Sequence, residues 1–188
     1  MLSIVPADPG KWVLLNYRLP REPSTPRITL WRRLRGWGVV QVGDGLVALP
    51  ADARTREQLE WAAEEVLEAG GTAVVWLAHP TTAAQERAMA EVMAAARAAE
   101  YDDLAAAATQ ALTSSGPEQA RTLRRLRRQW REITRRDFFA PEQREVAAAA
   151  LRALTGAQSV DDIGTRSADP AVRVTATSNT GSDDGRRP

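Results

Sequence analysis

Apolar positions change period along this chain in a regular order. From Trp12 to Tyr17 they run almost without interruption at strand length, and Leu19-Pro20 closes the run because proline cannot donate to a ladder. Thr25 as N-cap with Pro26 at the first helical position then opens a helix. In it Ile28, Leu30, Trp31, Leu34 and Trp37 form one broad apolar side, and Gly36 and Gly38 stop it. Val39 to Val42 and Leu46 to Leu49 flank Gly43-Asp44-Gly45, which reads as a reversal between two short strands ending at Pro50. A capping box at Thr55-x-x-Gln58 starts a second helix whose stripe is Leu59, Ala62, Ala63, Val66 and Leu67. Gly70-Gly71 ends it. Thr72 to Ala78, bounded by His79-Pro80, is an apolar, β-branched run and hence another strand.

The resulting order, β-α-β-β-α-β over residues 11–79, predicts an α+β, ferredoxin-like domain with both helices on one face of an antiparallel sheet. Leu15, Trp31, Leu34, Leu59, Val66 and Val75 are its expected core. Residues 80–154 read as a helical extension packed on that domain. A long alanine-rich helix opens at the capping box Thr82-x-x-Gln85 and runs to about Leu112. After Ser114-Ser115-Gly116-Pro117 a second helix carries Leu123, Leu126, Trp130 and Ile133, the seam of an α-helical hairpin. A short helix from Pro141 to Leu154 closes the extension. Residues 1–10 form a lead. Residues 155–188 hold too few large apolar side chains to offset ordering entropy and are expected to be a disordered C-terminal tail.

Composition narrows the classes. The chain has 188 residues, 44% hydrophobic, enough for one globular unit with an appendage. No cysteine is present, which removes disulfides, thiolate metal sites and cysteine nucleophiles. No apolar run approaches the roughly 20 residues that span a bilayer, and the N-terminus has no signal-like run, so a cytoplasmic location without membrane contact is expected. The net charge of +1 hides an uneven distribution. Residues 1–50 carry seven basic against three acidic groups, 51–112 four against eleven, and 113–155 ten against five. Two basic blocks therefore flank an acidic one, a surface that can steer an anionic partner.

The candidate binding residues lie in those blocks. Arg121, Arg124, Arg125, Arg127, Arg128 and Arg131 surround the apolar seam of the second extension helix, and Arg27, Arg32, Arg33 and Arg35 oppose the apolar side of the first helix. Such residues can meet nucleic-acid phosphates without reading bases. The plainer alternative is a solvated face, its arginines paired to the acidic helices and their stems covering apolar surface. Catalytic constellations are absent: His79 is the sole histidine, Asp102-Asp103 point apart on a helix, and Gly43-Asp44-Gly45 lacks the lysine and helix of a phosphate loop. No enzyme activity, cofactor or metal site is expected.

Several of these pieces occur together in one family. The aromatic strand, the Leu-Pro-Arg-Glu-Pro-Ser turn, the Leu-Trp-Arg-Arg-Leu helix, the Gly-Asp-Gly-Leu hairpin ending in Leu-Pro, and Arg-Asp-Phe-Phe at residues 136–139 resemble the N-terminal region of the chromate resistance regulator ChrB, over roughly Lys11 to Leu154. Members of that family usually carry a further C-terminal domain, so this sequence is expected to be a stand-alone version of the first part. The resemblance implies transcriptional regulation of chromate resistance, with DNA from the operator of such an operon as partner; chromate, an oxyanion that an arginine cluster can hold, is a lower-ranked ligand. A homodimer is expected on a separate ground: a sheet of this type leaves one face uncovered by its own helices, to be covered by the helical hairpin or by a second subunit, and the second subunit is favoured. The competing expectation is an interaction or dimerisation module that works with a separate partner and does not touch DNA. A Cas2-like metal-dependent nuclease ranks below both, since Asn16-Tyr17-Arg18 stands where an aspartate would be needed.

Overall fold

The computed structural model describes residues 10–167, and its elements follow the order of the apolar blocks. β1 (Trp12–Arg18), α1 (Thr25–Trp37), β2 (Val40–Gly43), β3 (Leu46–Pro50), α2 (Ala53–Glu68) and β4 (Thr72–Ala78) come first. α3 (Ala83–Ala111), α4 (Gly116–Thr134) and α5 (Gln143–Ser167) follow. The strands form one antiparallel sheet in the order β2-β3-β1-β4, so the class is α+β with five helices among the described residues.

β1 is interior because it can be buried on both faces: Trp12, Val13 and Leu15 are all 2% exposed or less. Val13 pairs with Leu49 and Leu15 with Val47, which places these four side chains on one face. Leu30 and Leu34 of α1 and Leu59, Ala62 and Val66 of α2 close over them. Truncating a fully buried leucine such as Leu59 to alanine costs about 2–5 kcal/mol in such a core. The reverse face carries Trp12, Ala48 and Val40 and receives Ala90 and Met93 of α3 together with Phe139, whose ring centroid lies 5.9 Å from that of Trp12. Toward β4 this face stays open, with Val74 50% and Trp76 56% exposed.

At the β2–β3 reversal Gly45 has φ +69°, and a Cβ there would stand 2.2 Å from the Tyr17 carbonyl oxygen. The close approach lets the Tyr17 N–H donate to the Gly45 carbonyl at 2.7 Å, which only glycine permits.

α3 is long enough to serve two cores. Its first half packs on the sheet, and Tyr101, Leu104 and Ala108 in its second half meet Leu123, Leu126 and Ile133 of α4 and Ala147 and Leu154 of α5. The extension is therefore a three-helix cluster rather than a hairpin with a short appended helix. α5 runs to Ser167, 13 residues beyond Leu154, where a disordered tail was expected to begin. The reason is local: Thr155 is held by the Arg127 guanidinium at 3.1 Å and donates to the Leu151 carbonyl at 2.7 Å, so the turn after Leu154 is anchored despite its polar composition. The rest of that expected tail, and residues 1–9 of the lead, lie outside the described residues.

Smaller corrections concern caps and the first helix. Ser24 rather than Thr25 is the N-cap of α1, without a side-chain bond. Asp52 caps α2, accepting from the Thr55 N–H at 2.6 Å while the Thr55 hydroxyl accepts from the Asp52 N–H at 2.9 Å. Ile28 and Trp31 are 49% and 37% exposed, because α1 meets the sheet core along the row of Leu30, Leu34 and Trp37; Val75 is half-buried.

Candidate functional site

α4 is organised by its apolar seam. Leu123, Leu126 and Ile133 are buried and Trp130 half-buried, its ring 5.3 Å from that of Tyr101. The start of the helix is fixed by buried Gln119, whose amide donates to the carbonyls of Ala111 at 3.2 Å and Ser114 at 2.9 Å. With the seam inward, the 3.6-residue period forces Arg121, Arg124, Arg125, Arg128, Arg131 and Arg135 outward, and all six are exposed. Arg127 is also exposed but is held to Thr155 of α5. Neighbours three and four apart lie about 5–6 Å from each other at Cβ, and like charges at that spacing each cost a few tenths of a kcal/mol. Glu118 and Glu132 are the only acids on the helix. Among the described residues the guanidinium groups of Arg121, Arg124, Arg125, Arg128 and Arg131 make no hydrogen bond or ion pair, and two carboxylates cannot offset so many like charges.

The α4 ridge ends against the C-terminal end of α1. There a cleft of about 480 Å³ is lined by Arg33 and Trp37 of α1, Arg54 and Gln58 of α2, Glu132 of α4, and Arg135 and Arg136 just past it. Arg54 lies over the Phe138 ring at 5.5 Å and donates to the Arg135 carbonyl at 3.1 Å. Arg33 is paired with Glu65, and Arg136 donates to Glu100 at 2.7 Å. Behind the cleft Arg97, 7% exposed, donates to the same Glu100 at 2.6 Å, while its Nε is buried without a partner. Burial lowers the Arg97 pKa, offset in part by the Glu100 charge.

Residues 136–139 act as the joint between the sheet and the helical cluster. Arg136 reaches Glu100, Phe138 lies under Arg54, and Phe139 meets Trp12. Asp137, whose side chain is fully buried, accepts from the Tyr101 hydroxyl at 2.9 Å and from Arg144 at 3.4 Å. Burial first, then the bond to Asp137 and its charge, push the Tyr101 phenol well above its ordinary range.

The expected arginines thus divide. Arg33 and Arg35 of the first block come next to the α4 end, Arg33 in the cleft and Arg35 in an adjoining groove with Arg97 and Arg136. Arg32 is exposed and lines neither. Arg27 is taken up by the fold, donating to the carbonyls of Pro20 at 2.8 Å and Arg21. Sequence reasoning missed Arg54, Gln58, Arg97 and Glu100. Arg54 and Arg97 sit in the acidic segment, where nothing in the local pattern separates them from solvated charges.

Among the described residues no group of three or more His, Asp or Glu side chains could hold a metal ion, and no helix is long and apolar enough to cross a membrane. No curated protein matches the chain, and no solved structure does. One family model matches, described as protein ChrB, N-terminal, over residues 27–167 of the 188. That span takes in α1 from its third residue, the hairpin, the joint at residues 136–139 and the whole arginine ridge, and by it the chain belongs to the ChrB N-terminal family.

Proposed function

We propose that this chain is a non-enzymatic regulator of chromate resistance, located in the cytoplasm, that holds DNA through the arginine ridge of α4 and works as a homodimer. The observation that carries the reading is the set of exposed arginines, unpartnered among the described residues, at Arg121, Arg124, Arg125, Arg128 and Arg131 on a helix whose seam is otherwise well packed. Rows of like charge persist at a cost that bound phosphates repay through counterion release. Arg127 adds to this ridge from the α5 side. The strand order β2-β3-β1-β4 with alternating helices supports reading residues 11–79 as ferredoxin-like, a scaffold that presents the ridge rather than a catalytic centre. Titrating the protein against duplex DNA from upstream of its own operon, and against a scrambled duplex of equal length, over a range of salt tests this. A steep negative salt slope is expected, and a preference for the native duplex; no salt-dependent binding to either rejects the reading.

A second reading rests on the α1 block. Because Arg27 and Arg33 already have partners within the fold, the surface at α1 suits a protein partner or a small oxyanion better than a duplex. Chromate would take Arg135 at the cleft with Arg35 in the adjoining groove, and would have to draw Arg33 away from Glu65 to use it as well. Calorimetry with chromate should then show one stoichiometric site that is lost when Arg32, Arg33 and Arg35 are replaced by alanine.

A further inference from the structure

The two edges of the sheet are built differently. β2 is four residues long and bulged between Gln41 and Gly43, two devices that blunt a strand edge. β4 has seven residues, TAVVWLA, with no charge, no proline and an unbroken register against β1 from Thr72 to Ala78. Among the described residues no strand pairs with its outer side. Its side chains are correspondingly open: Val74 and Trp76 on the uncovered face and Leu77, 53% exposed, on the helix face. Leu67 of α2, 55% exposed, continues the patch. On α2 the flank bearing Gln58 and Glu65 turns toward α1 and the cleft, so the flank bearing Leu67 turns the other way, past β4.

A long, flat, apolar edge presents a row of backbone donors and acceptors that another strand satisfies best. We propose that β4 pairs antiparallel with the β4 of a second copy about a two-fold axis, joining the two sheets into one. A strand lying against its own copy closes as a symmetric contact only in the antiparallel sense, and neutral β4 brings no like charges face to face. Trp76, Leu77, Val74 and Leu67 leave on the order of 400 Å² of apolar side chain per copy, half of the ~800 Å² each partner contributes to a stable interface. The backbone of the strand and the α2 flank, where Arg56 and Glu60 are already paired at 2.7 Å, lie beside this patch and add to the contact. No β4 residue lines the arginine cleft, so pairing leaves both ridges free. This names the surface of the homodimer in the proposed function yet stands on the edge alone, and it holds or falls independently of DNA binding.

The natural absence of cysteine makes the test direct. Light scattering of the full chain at micromolar concentration should give twice 20.5 kDa. Single cysteines placed one at a time from Ala73 to Leu77 and oxidised should cross-link best at one position, with yield falling on both sides. With the axis at Val75, Val74→Cys mixed with Trp76→Cys should cross-link more than either alone. The pair Val74→Lys and Trp76→Lys should give a monomer with an unchanged circular dichroism spectrum. A monomeric parent chain, uniform cross-linking along the strand, or a dimer that survives the two lysines would each overturn the proposal. So would a parent monomer that dimerises only once residues 1–9 are deleted, which would make that segment the occupant of the edge.

Discussion

α1 and α4 both carry an arginine-rich outer side, yet the two helices use their charges differently. On α1, Arg27 holds the preceding loop by its carbonyls and Arg33 is paired with Glu65, leaving Arg32 and Arg35 exposed and, among the described residues, without a partner. On α4 five arginines are exposed and, among the described residues, unpartnered, while Arg127 is held to Thr155. The packing explains the contrast. α1 lies against glutamate-bearing α2, so its charges find acids within reach, whereas α4 packs through Leu123, Leu126 and Ile133 against α3 and α5, and among the described residues its own Glu118 and Glu132 form no ion pair with its arginines. Charge count alone would rank the blocks by size. Partnering separates a block that contributes to folding from one whose charge awaits something outside.

The largest expected effect removes the unpartnered block. Replacing Arg124, Arg125, Arg128 and Arg131 by alanine keeps helix propensity high and leaves both the seam and the Arg127–Thr155 bond intact, so the melting temperature should move little. DNA affinity at low salt should fall on the order of 100-fold or more, and the salt slope should flatten by about 3–4 units, near 0.9 per lost phosphate contact. Fluorescence anisotropy over a salt series reads both quantities. An unchanged slope would place the phosphate contacts elsewhere and reverse the ranking of the two helices.

Next in size is the joint. Arg136→Ala removes a half-buried partner of Glu100 and should cost about 1–3 kcal/mol by urea unfolding. Its effect on the salt slope should be at most one phosphate contact. A loss of DNA binding as large as that of the α4 quadruple variant would move the site from the ridge into the cleft.

Tyr101→Phe removes the bond to buried Asp137 and should cost about 1.5 kcal/mol at neutral pH. The sign with pH follows from the raised phenol pKa. The folded state favours neutral Tyr101, so its stabilisation is complete below the ordinary phenol value of about 10 and is lost as pH rises beyond it. Alkaline melting should therefore steepen above about pH 10 in the parent and flatten in the variant. Some slope should remain from Tyr17, whose pKa burial also raises.

Most of the element order was legible because β1, β4 and α2 carry strong periods bounded by proline, glycine or a polar cap. The placement of helix starts was less so. Asp52 and Thr55 are both competent caps, and only the turn from Pro50, whose carbonyl accepts from the Thr55 hydroxyl at 2.7 Å, decides between them. The length of α5 was hidden because its anchor is a cross-helix bond from Arg127 rather than an apolar stripe. The arginines were legible as blocks but not as roles. Their partners lie far off in sequence, Glu65 being 32 positions from Arg33 and Glu100 36 from Arg136, and no local pattern announces a pair at that separation. Arg54 was hidden in the same way, its partner carbonyl at Arg135 lying 81 positions on, whereas Arg97 pairs with Glu100 only three positions away and was hidden because its burial is set by the fold rather than by the local pattern.

The smallest expected effect is the sharpest test of the contrast between the helices. The Arg33–Glu65 pair is exposed, 39% and 36% at the side chains, so solvent screens it and a double-mutant cycle with alanine should give a coupling of about 0.5 kcal/mol, fading in high salt. If Arg33 is engaged by Glu65, its own replacement should leave the DNA salt slope where it was. Glu65→Ala then becomes informative, because it frees Arg33 beside Arg135 at the end of the ridge without adding a charge. Under the ridge reading that variant should bind DNA slightly more tightly, with a slope steeper by up to about one contact. A slope that instead flattens on Arg33→Ala alone would mean that the pair opens when DNA arrives, and that α1 belongs to the interface as fully as α4 does.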